Sequence, residues 1–454
     1  MNFIYLLLIF LLPTQFGKHF WPSFSFIAGF RVDYLSPTLY VTDLLILSLM
    51  SISIYRYFFL KQTIDDRKWK IGVEDRKSKV EKLRFSMLYF LLSFISVFIV
   101  GVFFAKNQPI ALYGVIKLLE MVFFGWYTAI NLGKNVSYIS VGLAFASGIL
   151  FESSLAIAQF FSHGSLGSIF YFFGERTFSA ITPGIANASI SGQLFLRPYG
   201  TLPHPNVLAG YLLIAMIFVS SLWQQYGQKQ RWLAVFSLLL GSFALFLSLS
   251  RITIALFLFF LCIGVLFFLK KKEKRVIWVI GVMGAIGIMV GIHTIVGERL
   301  MSTSFLEESF LIRVDLMKNA LWMIANYPLF GVGLMNFLVR LPAYQHSYSF
   351  YQYLQPVHNI FLLVFAELGI LGGLGVIGGL GMTIRQVYRA SPTPLRLAYF
   401  CMLFSILFLG MFDHYFITLQ QGQLLFSFVL GLCYSLPQQK LKKKQISKPK
   451  RNFK

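Results

Sequence analysis

The chain is poor in charge and in the residues of most catalytic motifs. Only 13% of its 454 residues are Asp, Glu, Lys or Arg, while 57% are apolar and 17% aromatic. That balance excludes a soluble domain and describes a polytopic membrane protein. The three cysteines, Cys262, Cys401 and Cys433, sit inside apolar runs with no C-x-x-C spacing, so neither a metal site nor a disulfide framework is legible. D-x-D, H-E-x-x-H, G-x-S-x-G and a Walker loop are all missing, which leaves metal-nucleotide chemistry and serine hydrolysis without support. No metal and no cofactor is expected. Acids are fewer than bases, 17 against 40, for a formal charge of +23. The bases fall in short segments between apolar runs and in the C-terminal tail, as in cytoplasmic loops, so nucleic acid is not an expected partner.

What the chain has in abundance is apolar runs. Twelve read as membrane spans, at 1–12, 40–59, 85–105, 110–130, 137–160, 207–223, 232–249, 252–269, 276–296, 357–384, 397–412 and 422–436. The first ends at Pro13 and lacks a basic start and an A-x-A site, which reads as a retained helix and not as a signal peptide. With the N-terminus inside, 29 of the 40 Lys and Arg fall on inner connections, 61–84 being the densest internal one, and this orients both termini to the cytoplasm. The expected fold class is all-α, a bundle of about 12 transmembrane helices. Three parts are expected: helices and a first outer loop over 1–196, a core over 197–436 containing a large outer loop at 297–356, and a basic cytoplasmic tail over 437–454.

Two connections on the outer side are long, 161–206 and 297–356, and long loops between packed helices tend to carry function. In the second, Ser309 is a plausible N-cap for a helix over 310–324, with most apolar residues on one face and Arg313, Asp315, Lys318 and Asn319 off it. Such a helix would lie on the membrane surface until the Gly331-Val332-Gly333 turn after Pro328 breaks it. Three arginines adjoin helices on the same side: Arg197, Arg251 and Arg313. Each alone could snorkel to lipid headgroups or pair with an acid. Together, three permanently charged forks facing one compartment suit a diphosphate.

The histidines have two readings as well. His358, next to Asn359 at the mouth of the 357–384 run, either caps that helix or exchanges a proton near neutral pH. His204, between Pro203 and Pro205, reads as a rigid corner, with Pro205 in the first helical turn and Asn206 as a capping group. Asp413 and His414 end the eleventh run, and as neighbours on a helix they would point apart. The within-span carboxylates Glu120, Glu152 and Glu367 read as groups that bond neighbouring helices.

These residues carry a resemblance. His358-Asn359, nine residues, then Gly369 and Gly372 fit the pattern H-[NSR]-x9-G-x-x-G of the O-antigen ligase and polymerase superfamily of bacterial membrane glycosyltransferases. Arg197, Gly200-Thr201 and Pro205-Asn206 resemble its R-x-x-G-T-x-x-x-P-N stretch, and Ser250-Arg251 its S-R step. Arg313 with Pro328, Gly331 and Gly333 resembles the start of its large loop. The likeness runs over 199–436; the N-terminal third agrees in hydropathy and in the short stretch 40–45.

The resemblance implies a GT-C-like, metal-independent, inverting glycosyltransferase in the bacterial plasma membrane. It would move a glycan from a polyprenyl diphosphate carrier to a hydroxyl of a lipid, glycan or protein acceptor on the outer side. By this analogy Arg197 and Arg313 grip the diphosphate and His358 orients or deprotonates the acceptor. Arg251, Asn359, His204, Asn206, Asp413 and His414 would complete the substrate site. A polymerase shares the architecture. From other classes, a lipid-linked glycan flippase or a scaffold whose basic tail touches anionic lipid would also fit many spans.

Overall fold

A computed structural model of the chain describes residues 1–57, 98–190, 193–270, 308–345 and 354–436. The expected span 276–296, most of 85–105, the charged segment 61–84 and the tail 437–454 lie outside the described residues. The protein is mostly helical and is a membrane protein. Among the described residues, four helices are long and apolar enough to cross a bilayer: α3 (Gln108–Asn131), α4 (Tyr138–Ser162), α6 (Gln228–Leu247) and α10 (Ile360–Arg389). Shorter apolar helices are α2 (Val41–Tyr55), α5 (Pro205–Ser221), α7 (Arg251–Lys270) and α11 (Pro394–Gly410). They are joined by α1 (Asn2–Phe10), α8 (Glu308–Asn326), the single turns α9 (Phe337–Arg340) and α12 (Tyr415–Thr418), and α13 (Gln420–Ser435). Every described helix on an expected span covers that run to within a few residues. The all-α expectation needs one correction. Three two-stranded antiparallel sheets stand in the connections: β1 (Gly17–His19) with β4 (Thr38–Tyr40), β2 (Phe26–Ile27) with β3 (Phe30–Arg31), and β5 (Asn187–Ile190) with β6 (Gln193–Leu196).

The helix starts are written in local chemistry. Asn107 accepts the N–H of Ile110 to open α3, Ser137 that of Ile139 to open α4, and Thr393 that of Arg396 to open α11, with Pro394 in the first turn. At α5 the expected capping group is corrected. His204 is the N-cap, its Nδ1 accepting the N–H of Asn206, while Pro205 takes the first helical position as expected.

Packing draws α3 against α13, α4 against α6 and α5 against α11. Small residues set the closest approach, since a Cβ at Gly431 would lie 2.5 Å from the carbonyl of Gly125 and one at Gly125 3.0 Å from that of Ser427. Aromatics fill the centre, with the Phe145 ring 5.1 Å from Phe428 and 5.6 Å from Phe218. Deeper than the loop-rich end, Lys117 Nζ lies 2.7 Å from Asp43 and 3.1 Å from Glu120, tying α3 to α2, and Gln420 donates to Asp43. Glu120 pairs with Lys117 of its own helix, and it is Lys117 that reaches Asp43 on α2.

The 357–384 span is broken, not continuous. Gly369 has φ +64, and the loop after α8 packs into the gap. Ile370 N–H donates to the Pro328 carbonyl at 2.7 Å, Val332 N–H to Ala366 at 2.9 Å and Gly333 N–H to Glu367 at 2.9 Å. The backbone freed by the break is therefore paired again. A Cβ at Gly369 would lie 2.3 Å from the Leu329 carbonyl oxygen, and Gly331, at φ +69, has no room for one either. Glu367 does more than join helices, because its two oxygens accept the N–H groups of Met335 and Phe337, the latter opening α9. The helix α8 begins at Glu308, so Ser309 lies in its first turn and not at its cap; the Gly331-Val332-Gly333 turn follows its end, as expected.

Candidate functional site

One cavity of about 1860 Å³ opens at the loop-rich end and continues along α3, α10 and α13. Its wall at that end is built from three connections and two helix mouths. The first element to be positioned is the loop 199–206, which α4 holds with two polar side chains a double turn apart. Glu152 accepts both the N–H (2.8 Å) and the hydroxyl (2.6 Å) of Thr201. Gln159 accepts the N–H groups of Tyr199 (3.0 Å) and Gly200 (2.8 Å), and donates to the Gly200 carbonyl and to Glu175. Gly200 has φ +61, and a Cβ there would lie 2.3 Å from the Glu152 carboxylate, so only glycine permits the docking. The Gly-Thr of the R-x-x-G-T stretch is thus a loop anchor. Glu152, read from the sequence as a helix-joining acid, holds this loop.

From that loop a chain of hydrogen bonds crosses the site. Arg197, buried, donates from Nε to the Ser248 carbonyl (2.8 Å) and from its terminal nitrogen to Asn206 Oδ1 (2.7 Å). Asn206 in turn donates to Asp413 Oδ2 at 3.0 Å. Asp413 and His414 do not point apart. The turn between α11 and α12 is not helical, Asp413 Oδ1 accepts the His414 N–H at 2.8 Å, and ligand atoms of His358, Asp413 and His414 all lie within 4.8 Å of one another. The rings of His358 and His414 meet edge-on with centroids 5.0 Å apart, and His414 Nδ1 shares a 2.7 Å hydrogen bond with Thr418.

His358 itself caps nothing. Asn359 does that work, accepting the N–H groups of Phe361 and Leu362 and donating to the Met411 carbonyl, which fixes the mouth of α10 to the end of α11. His358 lines the cavity, and its Nδ1 is a buried polar atom with no hydrogen-bond partner among the described residues.

The electrostatics sort these groups by protonation. Burial lowers the imidazoles of His204 and His414 to about 3; Arg197, His358 and Arg313 add to the effect at His204, while His358, His204 and Arg313 add to it at His414, and Asp413 opposes it at both. His358 is lowered from 6.5 as well, by burial and by Arg313, again against Asp413. Burial pushes the Asp413 carboxyl up, and the neighbouring imidazoles together with the Asn206 amide outweigh it, leaving the group at about 2. At neutral pH the ring is three neutral imidazoles around one carboxylate, under the guanidinium of Arg313.

Of the residues expected in the site, His204, Asn206, Arg313, His358, Asp413 and His414 line the cavity together. Arg197 sits behind the wall and orients Asn206. Asn359 holds the helix mouth, and Arg251, first residue of α7, is not among the lining residues. Motif reading passed over Arg31, Tyr34 and Arg176, which also line the cavity. Their only signal was charge and aromaticity in outer connections. The trio of His358, Asp413 and His414 has the donor types to hold a metal ion. The charges acting on it are guanidiniums, which oppose a second cation.

Comparison with known proteins adds one match. Residues 236–377 fit the family model described as O-antigen ligase. No curated protein matches the chain.

Proposed function

We propose, from the membership of this chain in the O-antigen ligase superfamily that the family match supports, that it is a membrane glycosyltransferase acting on lipid-linked glycan. It moves a glycan from a polyprenyl diphosphate to an acceptor hydroxyl at the outer face of the bacterial plasma membrane, with both termini in the cytoplasm. The observation that carries this reading is the meeting, in one cavity, of a neutral His358, an ionised Asp413 and the Arg313 guanidinium. The cavity then runs on between apolar residues, Leu118, Met121, Trp126, Val364, Leu368 and Phe426 among them. A polar head with an apolar groove below it matches the two halves of a lipid diphosphate.

The chemistry follows from charge. The bond between the anomeric carbon and the diphosphate oxygen breaks, the electron pair leaves on the diphosphate, and the acceptor oxygen attacks the opposite face with inversion. Arg313, already in place, offsets the charge that builds on the leaving group and needs no metal to do so. His358 takes the acceptor's proton on its imidazole. Asp413, held by Asn206 and Arg197, stabilises the imidazolium that results. Arg197 is on this view a positioning residue as much as a diphosphate ligand.

The test is transfer by the purified full chain in liposomes carrying polyprenyl diphosphate oligosaccharide and a lipid or glycan acceptor. Wild type transfers with and without a chelator, and Arg313→Ala lowers the rate by about 10²–10³. Movement of the lipid-linked glycan across the bilayer with no new glycosidic bond would make the protein a flippase. Envelope glycans of a deletion strain separate the two enzymes: long chains left on the carrier indicate a ligase, single repeat units a polymerase.

A further inference from the structure

The cavity mouth carries two guanidiniums that the transfer chemistry does not use. Arg31 and Arg176 line the same cavity as His358 and Arg313, and both lie outside the matched segment. Arg31 belongs to the β2–β3 hairpin of the N-terminal connection, turned by Ala28 and Gly29 at φ +48 and +82. Its guanidinium lies 4.5 Å over the ring of Trp21, which stacks on His19 at 5.6 Å; His19 shares a 2.9 Å hydrogen bond with Thr38 of β4. The column His19–Trp21–Arg31 therefore holds the planar fork in place before any ligand arrives. The acid next to it makes a weak partner, since Asp33 stands 3.9 Å away with both side chains more than 60% exposed.

Arg176 is anchored from the other connection. Its neighbour Glu175 is buried and its carboxylate is occupied by the N–H groups of Leu166 and Gly167 and by Gln159. Glu175, which also lines the cavity, thus fixes the backbone beneath Arg176 with its carboxylate engaged by these three donors. His19 registers both cations: burial lowers its imidazole, Arg176 and Arg31 add to that, and Asp33 opposes it. Tyr34 joins this wall to the ring below, packing edge-on against His414 at 5.6 Å.

We infer that Arg31 and Arg176 form a subsite for an acidic sugar residue of the glycan, one bearing a carboxylate or phosphate, at the mouth of the cavity above the transfer site. This rests on the reading of the cavity as a glycan-transfer site. Arg313 already answers the diphosphate, so a second pair of forks in the same cavity calls for a second anion, and the part of the donor that reaches beyond the reacting carbon is sugar. The subsite then sets which glycans are accepted and contributes nothing to the bond-breaking step.

The experiment is equilibrium binding of two synthetic polyprenyl diphosphate oligosaccharides to the full chain in nanodiscs. The two differ only in a hexuronic acid against the matching neutral hexose. Wild type binds the acidic one about tenfold tighter, and Arg31→Gln with Arg176→Gln brings the ratio near one, while Arg31→Lys, which keeps charge and loses the fork, recovers part of it. Equal binding of both glycans by wild type, or a preference that survives the double substitution, overturns the subsite. So does a preference unchanged by the double substitution accompanied by loss of affinity for phosphatidylglycerol nanodiscs, which would assign the arginines to lipid headgroups. Transfer is followed in the same preparations. A wild type that discriminates the acidic glycan and yet forms no glycosidic bond sinks the proposed activity and leaves the subsite standing.

Discussion

The two halves of the H-N-x9-G-x-x-G motif share one helix and do opposite things. At its mouth, His358 has a buried nitrogen with no partner and a neighbouring carboxylate that stays ionised. Eleven residues on, around Glu367 and Gly369, every polar group has been answered: Glu367 by two backbone N–H groups, and the broken backbone by Pro328, Val332 and Gly333. Groups with a complete set of internal partners build the molecule; groups left short of one face a substrate.

Substitutions at the two halves break this comparison in different currencies. The largest effect is on rate: His358→Ala lowers kcat of glycan transfer by about 10³, while the protein still inserts and melts as wild type by a thermal shift in detergent. A matching fall in melting temperature would return His358 to a structural role. Gly369→Ala comes next, and its effect is on folding. A side chain at φ +64 costs about 1–3 kcal/mol in backbone strain, and the Leu329 carbonyl blocks its Cβ, so the yield of folded protein and its melting temperature drop, with kcat per folded molecule kept within about threefold. A Gly369→Ala protein of wild-type stability would show that the helix is not broken there.

The smallest effect is on pH, and it sharpens the site half alone. His358 is held below its ordinary 6.5, so it is neutral at pH 7 and serves as a base from there down to 6.5. It is lost as one only as the pH falls further. Transfer by wild type is therefore flat between pH 7.5 and 6.5 and declines below. His204 and His414, both lowered to about 3, act on stability in the same direction. Below 6.5 the unfolded chain takes up protons that the folded one refuses, so folding weakens toward acid. A brief acid pulse followed by assay at pH 7 separates the reversible loss of rate from unfolding. A rate that rises on acidification would contradict a neutral His358 as base.

Much of the scaffold was legible because it is periodic or local. The apolar runs that became α3, α4, α6 and α10 needed only hydropathy, and Pro205 marked a helix start by its fixed φ. Local rules failed where a residue's neighbour came from elsewhere. Asp413 and His414 were expected to diverge as helix neighbours, and converge because the chain turns there to meet the mouth of α10. The charge of Arg197 suggested a diphosphate, while its hydrogen bonds to Ser248, 51 residues on, and to Asn206 follow from no local rule. Glu152 is joined to Thr201 across 49 residues, a distance over which a single sequence carries no pattern.

By itself the sequence determined that this chain crosses a membrane, roughly where, and which motif histidine and arginines to watch. Those properties depend on composition, on period and on spacing within a few turns, all of which the chain displays in one dimension. Only the tertiary structure decided that His358 and not Asn359 is left open, that Gly369 marks a break filled by a distant loop, and that Arg31 and Arg176 share a cavity with the motif. The physical reason is that a polar group's role is set by whether its hydrogen bonds and charge are met, and those partners are brought by folding from other parts of the chain.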